Sequence, residues 1–78
     1  MRSVYIKGVA KAVVKYSDGN NTKWVEYKLS HNRDLEKVRQ SFVKDDRFRF
    51  ALIYQYNEKT KQRGNQIATI KRDSVVMY

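Results

Sequence analysis

Residues 4–16 alternate without a break: Val4, Ile6, Gly8, Ala10, Ala12, Val14 and Tyr16 fall at even positions, and Tyr5, Lys7, Val9, Lys11, Val13 and Lys15 at odd ones. Residues 47–56 repeat the pattern, setting Phe48, Phe50, Leu52, Tyr54 and Tyr56 against Arg47, Arg49, Ala51, Ile53 and Gln55. Successive side chains leave opposite faces of a strand, so a period of two assigns the even set to a core and the odd set to a second face. The chain therefore builds its core mainly from sheet. Its apolar residues agree, with nine Val to three Leu, six Tyr, three Phe and one Trp. β-Branched and aromatic side chains suit a pleated, half-buried surface.

The remaining elements follow from local signals. Gly8, with the small Ala10 and Ala12, predicts a bend or bulge in the first strand. Ser17-Asp18-Gly19-Asn20-Asn21 predicts a tight turn into a strand over residues 22–29, with Val25, Tyr27 and Leu29 inward and Trp24, Glu26 and Lys28 outward. A helix is expected over residues 33–44, with Asn32 as N-cap, Asp34 and Glu36 in the first turn, and Leu35, Val38 and Phe42 as an apolar stripe widened by Val43. Asp45 and Asp46 belong to the loop beyond it. Residues 57–65 hold no apolar side chain, and Gly64-Asn65 supplies turn chemistry leading into a strand over residues 66–72. The faces of that strand are ambiguous, because Ile67 and Ile70 fall on opposite sides. Residues 75–78 form a short apolar edge.

The expected fold is α+β: a single ββαββ domain over residues 1–78, with an antiparallel four-stranded sheet, one helix on one face and a short C-terminal segment available as a fifth strand. The helix stripe would meet Ile6, Val14, Val25, Tyr27, Phe48, Phe50 and Leu52. Strand order stays open between a β-grasp arrangement and a meander. At this length the core is thin, with only about 60% of the unfolded chain's surface buried. The chain has no cysteine, so no disulfide or thiolate metal site supports it. Residues 1–7 lack a signal-peptide core and no stretch is apolar enough to span a bilayer, so the expectation is a cytoplasmic protein without a membrane partner.

Seventeen Lys and Arg against eight Asp and Glu give a net charge of +9. Residues 1–31 hold six basic and two acidic groups, residues 32–46 four of each, and residues 47–78 seven and two. The excess lies on strands and loops, whereas a helix that reads a DNA groove would carry it itself. Two basic surfaces result. One is the open sheet face, with Lys7, Lys11, Lys15, Lys28, Arg47 and Arg49 beside Trp24 and Tyr5. The other is the hairpin over residues 57–65, expected to project and move, with Lys59, Lys61 and Arg63. Cations neutralise phosphates and aromatic faces stack on bases, so the expected partner is nucleic acid, DNA or RNA. Val9, Val13, Ala51 and Ile53 would share the open face, which suits a protein contact or a homodimer.

Catalysis finds little to work with. His31 is the one histidine, expected as a loop residue before the helix, and no second acid–base partner accompanies it. No phosphate-binding glycine loop or metal-ligand spacing occurs, so no cofactor, metal or catalytic residue is expected. Phosphodiester cleavage by Lys, Arg, Tyr and His31 is the residual enzymatic option. The expected function is a small non-enzymatic nucleic-acid-binding module. The alternative is an inhibitor or adaptor of the phage or mobile-element type, with the same Lys-, Asn- and Tyr-rich make-up, docking on an acidic surface of a host protein.

Overall fold

Gly19 adopts φ 61°, the left-handed backbone that a two-residue hairpin loop needs, and Asp18 faces Asn21 across it. In this computed structural model, which describes residues 5–30 and 33–78, the turn joins β1 (Ala10–Asp18) to β2 (Asn21–Leu29). There follow α1 (Leu35–Phe42), β3 (Phe48–Asn57), β4 (Gln62–Lys71) and β5 (Val75–Met77). All pairings are antiparallel, in the order β2-β1-β3-β4-β5. β2 and β3 both run against β1 and so point the same way, and α1 carries the chain across β1 between them. This excludes the meander, in which β2 would neighbour β3, and it departs from a β-grasp in having no parallel pair. The C-terminal segment completes the sheet, with Val75 opposite Ile70 and Met77 opposite Ala68, so the fold is five-stranded rather than four-stranded.

The first strand is shorter than its alternation implies. Gly8 takes φ 75° and turns the preceding residues off the sheet. Tyr5 instead bridges to Asp34, and the Ile6 N–H donates to the Arg33 carbonyl at 3.1 Å. The bend does not swap faces, because Ile6, Ala10, Ala12 and Val14 are all buried. The helix begins later than expected. Asp34 is its N-cap, with Oδ1 accepting the Glu36 N–H at 2.9 Å, and the helix stops at Phe42 before a Val43 cap. The expected N-cap Asn32, the loop residue His31 and Val4 lie outside the described residues.

One face of the sheet carries the core. Ala10, Ala12, Ala51 and Ala68 supply small, fully buried positions, and Ile6, Val14, Leu35, Phe48, Ile53 and Ile70 fill the space around them. Phe42 stacks on Phe48 with ring centroids 5.3 Å apart, closing one end. The molecule measures 38 × 32 × 18 Å, a slab one sheet and one helix thick.

Two bulges overturn parts of the expected core. Lys15 pairs with Phe50 but Tyr16 pairs with Phe48, so Arg49 is an extra residue in β3. Beyond it the faces exchange: Ala51 and Ile53 enter the core, while Phe50 and Leu52 leave it with Tyr54 and Tyr56. Likewise Ile53 pairs with Ala68 and Tyr54 with Gln66, leaving Ile67 extra. Ile67 and Ile70 therefore both pack against the core, resolving their opposed parity. On β2, Val25 is half-buried and Tyr27 is 40% exposed, at the rim of the core rather than within it.

The last hairpin also differs. Asn57 pairs with Gln62, so its loop is residues 58–61, and Gly64-Asn65 lies inside β4 rather than at a turn. The cause is Asn57, whose Oδ1 accepts the N–H groups of Lys59 at 2.9 Å and Thr60 at 3.3 Å. This fixes a four-residue turn where a nine-residue mobile hairpin was expected.

Candidate nucleic-acid interface

The register places side chains on the face opposite the helix as a grid. Its first row is Lys11, Val13 and Lys15 on β1. On β2 these face Lys28, Glu26 and Trp24, and on β3 they face Tyr54, Leu52 and Phe50. Gln66, Thr69 and Lys71 continue the rows on β4, and Val76 follows on β5 opposite Thr69. Tyr56 and Arg63 face each other one step beyond Tyr54. Among the described residues no element covers this face. The Arg49 bulge is what aligns four β3 side chains, three of them aromatic, beside the Lys row.

Cations and rings interlock across the grid. Lys15 Nζ lies 5.8 Å from the Trp24 ring centroid and 5.6 Å from that of Phe50, and those two rings meet edge to face at 5.8 Å. Lys11 Nζ lies 4.6 Å over Tyr56, and the Arg63 guanidinium 4.8 Å over Tyr54. Ring quadrupoles attract these cations but leave their charge in place. Lys11 and Lys28 stand directly opposite each other, a like-charge pair that weakens the sheet. Lys28 turns instead to Glu58 at 2.5 Å, joining β2 to the β3–β4 turn, and this carboxylate raises the Lys28 pKa through its hydrogen bond and charge.

The expected site residues therefore divide. Lys11, Lys15, Trp24 and Lys28 lie on the open face, and Arg63 joins them from β4. Lys59 and Lys61 project from the turn, with Lys61 at φ 57°. Lys7 leaves the Lys row because Gly8 bends the chain. It lines a shallow cleft of about 800 Å³ with Tyr56, Lys59 and Arg63, so it borders the hairpin.

Arg47 and Arg49 each engage a partner within the protein. Arg47 precedes β3 and clasps Asp45, its Nη2 2.9 Å from Oδ2. The Arg47 side chain and then its N–H hold the Asp45 carboxyl down at about 2. Arg49, the bulge residue, donates to the Ser17 carbonyl at 2.9 Å. Tyr5 stands at the bridge to Asp34 and off the sheet, and Val9 precedes β1, its carbonyl accepting from Tyr56. Ala51 and Ile53 are in the core, so Val13, Leu52 and Val76 supply the apolar part of the open face.

Four interface residues escaped sequence reasoning: Phe50, Tyr54, Tyr56 and Lys71. An unbroken alternation assigned the three aromatics to the core. A usable signal was present, since Tyr54 and Tyr56 carry hydroxyls that a buried row would have to satisfy, whereas Ala51 matches the small Ala10 and Ala12 beneath the helix.

The helix side is a different surface. Arg39 pairs with Glu36 at 2.5 Å, and Arg72 donates to the carbonyls of Phe48 at 2.8 Å, Val43 at 3.2 Å and Asp45 at 3.3 Å. A smaller cleft of about 300 Å³ lies beside the first hairpin, lined by Tyr16, Lys23, Tyr27, Asp45 and Arg47 among others. Burial first, then the hydrogen bond to Tyr27, pushes the Tyr16 hydroxyl up to about 12, so it stays neutral. Among the described residues no cluster of His, Cys, Asp or Glu could hold a metal ion, and no helix is long and apolar enough to cross a membrane. No protein-family model, curated protein or solved structure matches this chain.

Proposed function

We propose that this protein is a small non-enzymatic nucleic-acid-binding module whose ligand lies across the open sheet face and reaches the turn at residues 58–61. The observation that carries this reading is the interleaving of Lys11, Lys15 and Arg63 with Trp24, Phe50, Tyr54 and Tyr56 on one uncovered face. Cations supply phosphate attraction and rings supply stacking, the two contributions that nucleic-acid platforms combine. The net charge of +9 provides a long-range field that draws a polyanion in. On the helix side, carboxylates and backbone carbonyls engage Arg39, Arg47 and Arg72, and among the described residues no comparable cluster of rings and cations accompanies them.

The test compares charge removal on the two sides of the sheet. Lys11→Gln with Lys15→Gln should weaken binding of a fluorescein-labelled oligonucleotide by more than tenfold in anisotropy titrations. Lys37→Gln, on the exposed side of α1, should leave it within about twofold. Equal effects from both would remove the open face from the interface. Normal nucleic-acid binding by the Lys11/Lys15 variant, with loss of a protein partner, would favour docking on an acidic protein surface.

A further inference from the structure

We infer that the open face selects unpaired nucleic acid and holds it at two aromatic stations, one at Trp24 and Phe50 and the other at Tyr54 and Tyr56. This inference deepens the proposed function and rests on it. Lys15 lies against the first pair of rings, and Lys11 and Arg63 lie against the second. Lys11 and Lys15 are four residues apart on β1, which places the stations about 13 Å from each other. Val13 and Leu52 separate them along the central strands.

Three properties of this surface favour a single strand over a duplex. In a duplex the faces of the bases are stacked on one another, so aromatic side chains on a flat sheet meet only edges and phosphates. Unpaired bases present their faces and stack on such rings whatever their sequence. Second, the cations are set low. Lys11 and Lys15 are half-buried, and their ammonium groups lie within 6 Å of ring centroids rather than extending outward, as charges reaching for two phosphate rails would. Third, the rings are open to solvent in part: Trp24 is 52% exposed and Phe50, Tyr54 and Tyr56 are half-buried, and nearby Tyr78, whose hydroxyl meets Thr69 Oγ1 at 2.7 Å, is 72% exposed. Gln66 Nε2 donates to the same Thr69 hydroxyl at 2.9 Å, a short polar line that lies beside Tyr54.

The experiment titrates the full chain with oligo(dT), oligo(rU) and a duplex of equal phosphate number, reading anisotropy of the labelled strand and emission of Trp24. One or both single strands should bind at least tenfold more tightly than the duplex and quench Trp24. Trp24→Ala and Tyr54→Leu, each checked for an unchanged melting curve, should weaken single-strand binding by roughly five- to a hundredfold and leave duplex binding alone. Equal affinity for single strand and duplex, with both aromatic variants silent, overturns the two-station inference while the proposed function stands. Binding of neither ligand by wild type overturns the proposed function, and the inference falls with it.

Discussion

Arg72 and Lys15 carry the same charge in opposite kinds of environment. Arg72 donates to three backbone carbonyls, one of them Val43 at the end of α1, and so ties the helix exit to the β4–β5 turn. Hydrogen bonds with one charged partner contribute about 1.5–3 kcal/mol. Arg72→Gln should therefore lower stability by about 2 kcal/mol in urea denaturation, and nucleic-acid affinity should hold wherever the variant is folded. Lys15 faces two rings on the open surface, and its replacement should leave the melting curve nearly unchanged while binding falls. Asp45 gives a pH signature. Its folded value of about 2 lies below the ordinary 3.8, chiefly because of Arg47, so its contribution is complete above about pH 4 and disappears as pH falls toward 2. Asp45→Asn should flatten the loss of stability in that window. An unchanged urea-midpoint slope between those pH values would show that the clasp contributes nothing.

At the level of elements, the first hairpin and the helix were readable because local chemistry alone dictates them. Gly19 supplies the positive φ, and Leu35 and Val38 supply the buried stripe. Leu35→Ala should cost about 2–5 kcal/mol, enough to unfold much of a domain this small. The open face was only half readable. One inserted residue, Arg49, moves every later β3 side chain to the other face, and the alternation of residues 47–56 does not announce it. The bulge becomes visible only through β1, where Lys15 and Tyr16 choose Phe50 and Phe48. The second hairpin was misplaced for a different reason. Gly64-Asn65 has turn composition, but the Asn57 side chain closes a turn earlier, and Gly64 packs opposite Gln55 within β4. That turn holds Lys61 in left-handed backbone, at a cost of about 1–2 kcal/mol for a residue other than glycine. Lys61→Gly should accordingly raise stability by a few tenths to about 1 kcal/mol, and a lower melting temperature would contradict that geometry.

Across the whole molecule, the sheet separates two jobs. The helix side buries Leu35, Val38 and the alanine-floored core and pairs Arg39 and Arg47, while the opposite side keeps cations and rings together. Binding should therefore be strongly salt-dependent. About five phosphate contacts on a single strand give a slope of about −3.5 in log K against log salt, and a slope near zero would remove the electrostatic basis of the reading. The most direct test is chemical-shift mapping of the isotopically labelled protein as an oligonucleotide is added. The indole N–H of Trp24 and the side-chain or amide signals of Lys11, Val13, Lys15, Leu52 and Tyr54 should move together, with those of Glu36, Lys37 and Gln40 on α1 unchanged. Shifts centred on α1, or none at saturating oligonucleotide, would contradict the assignment of the open face as the binding surface.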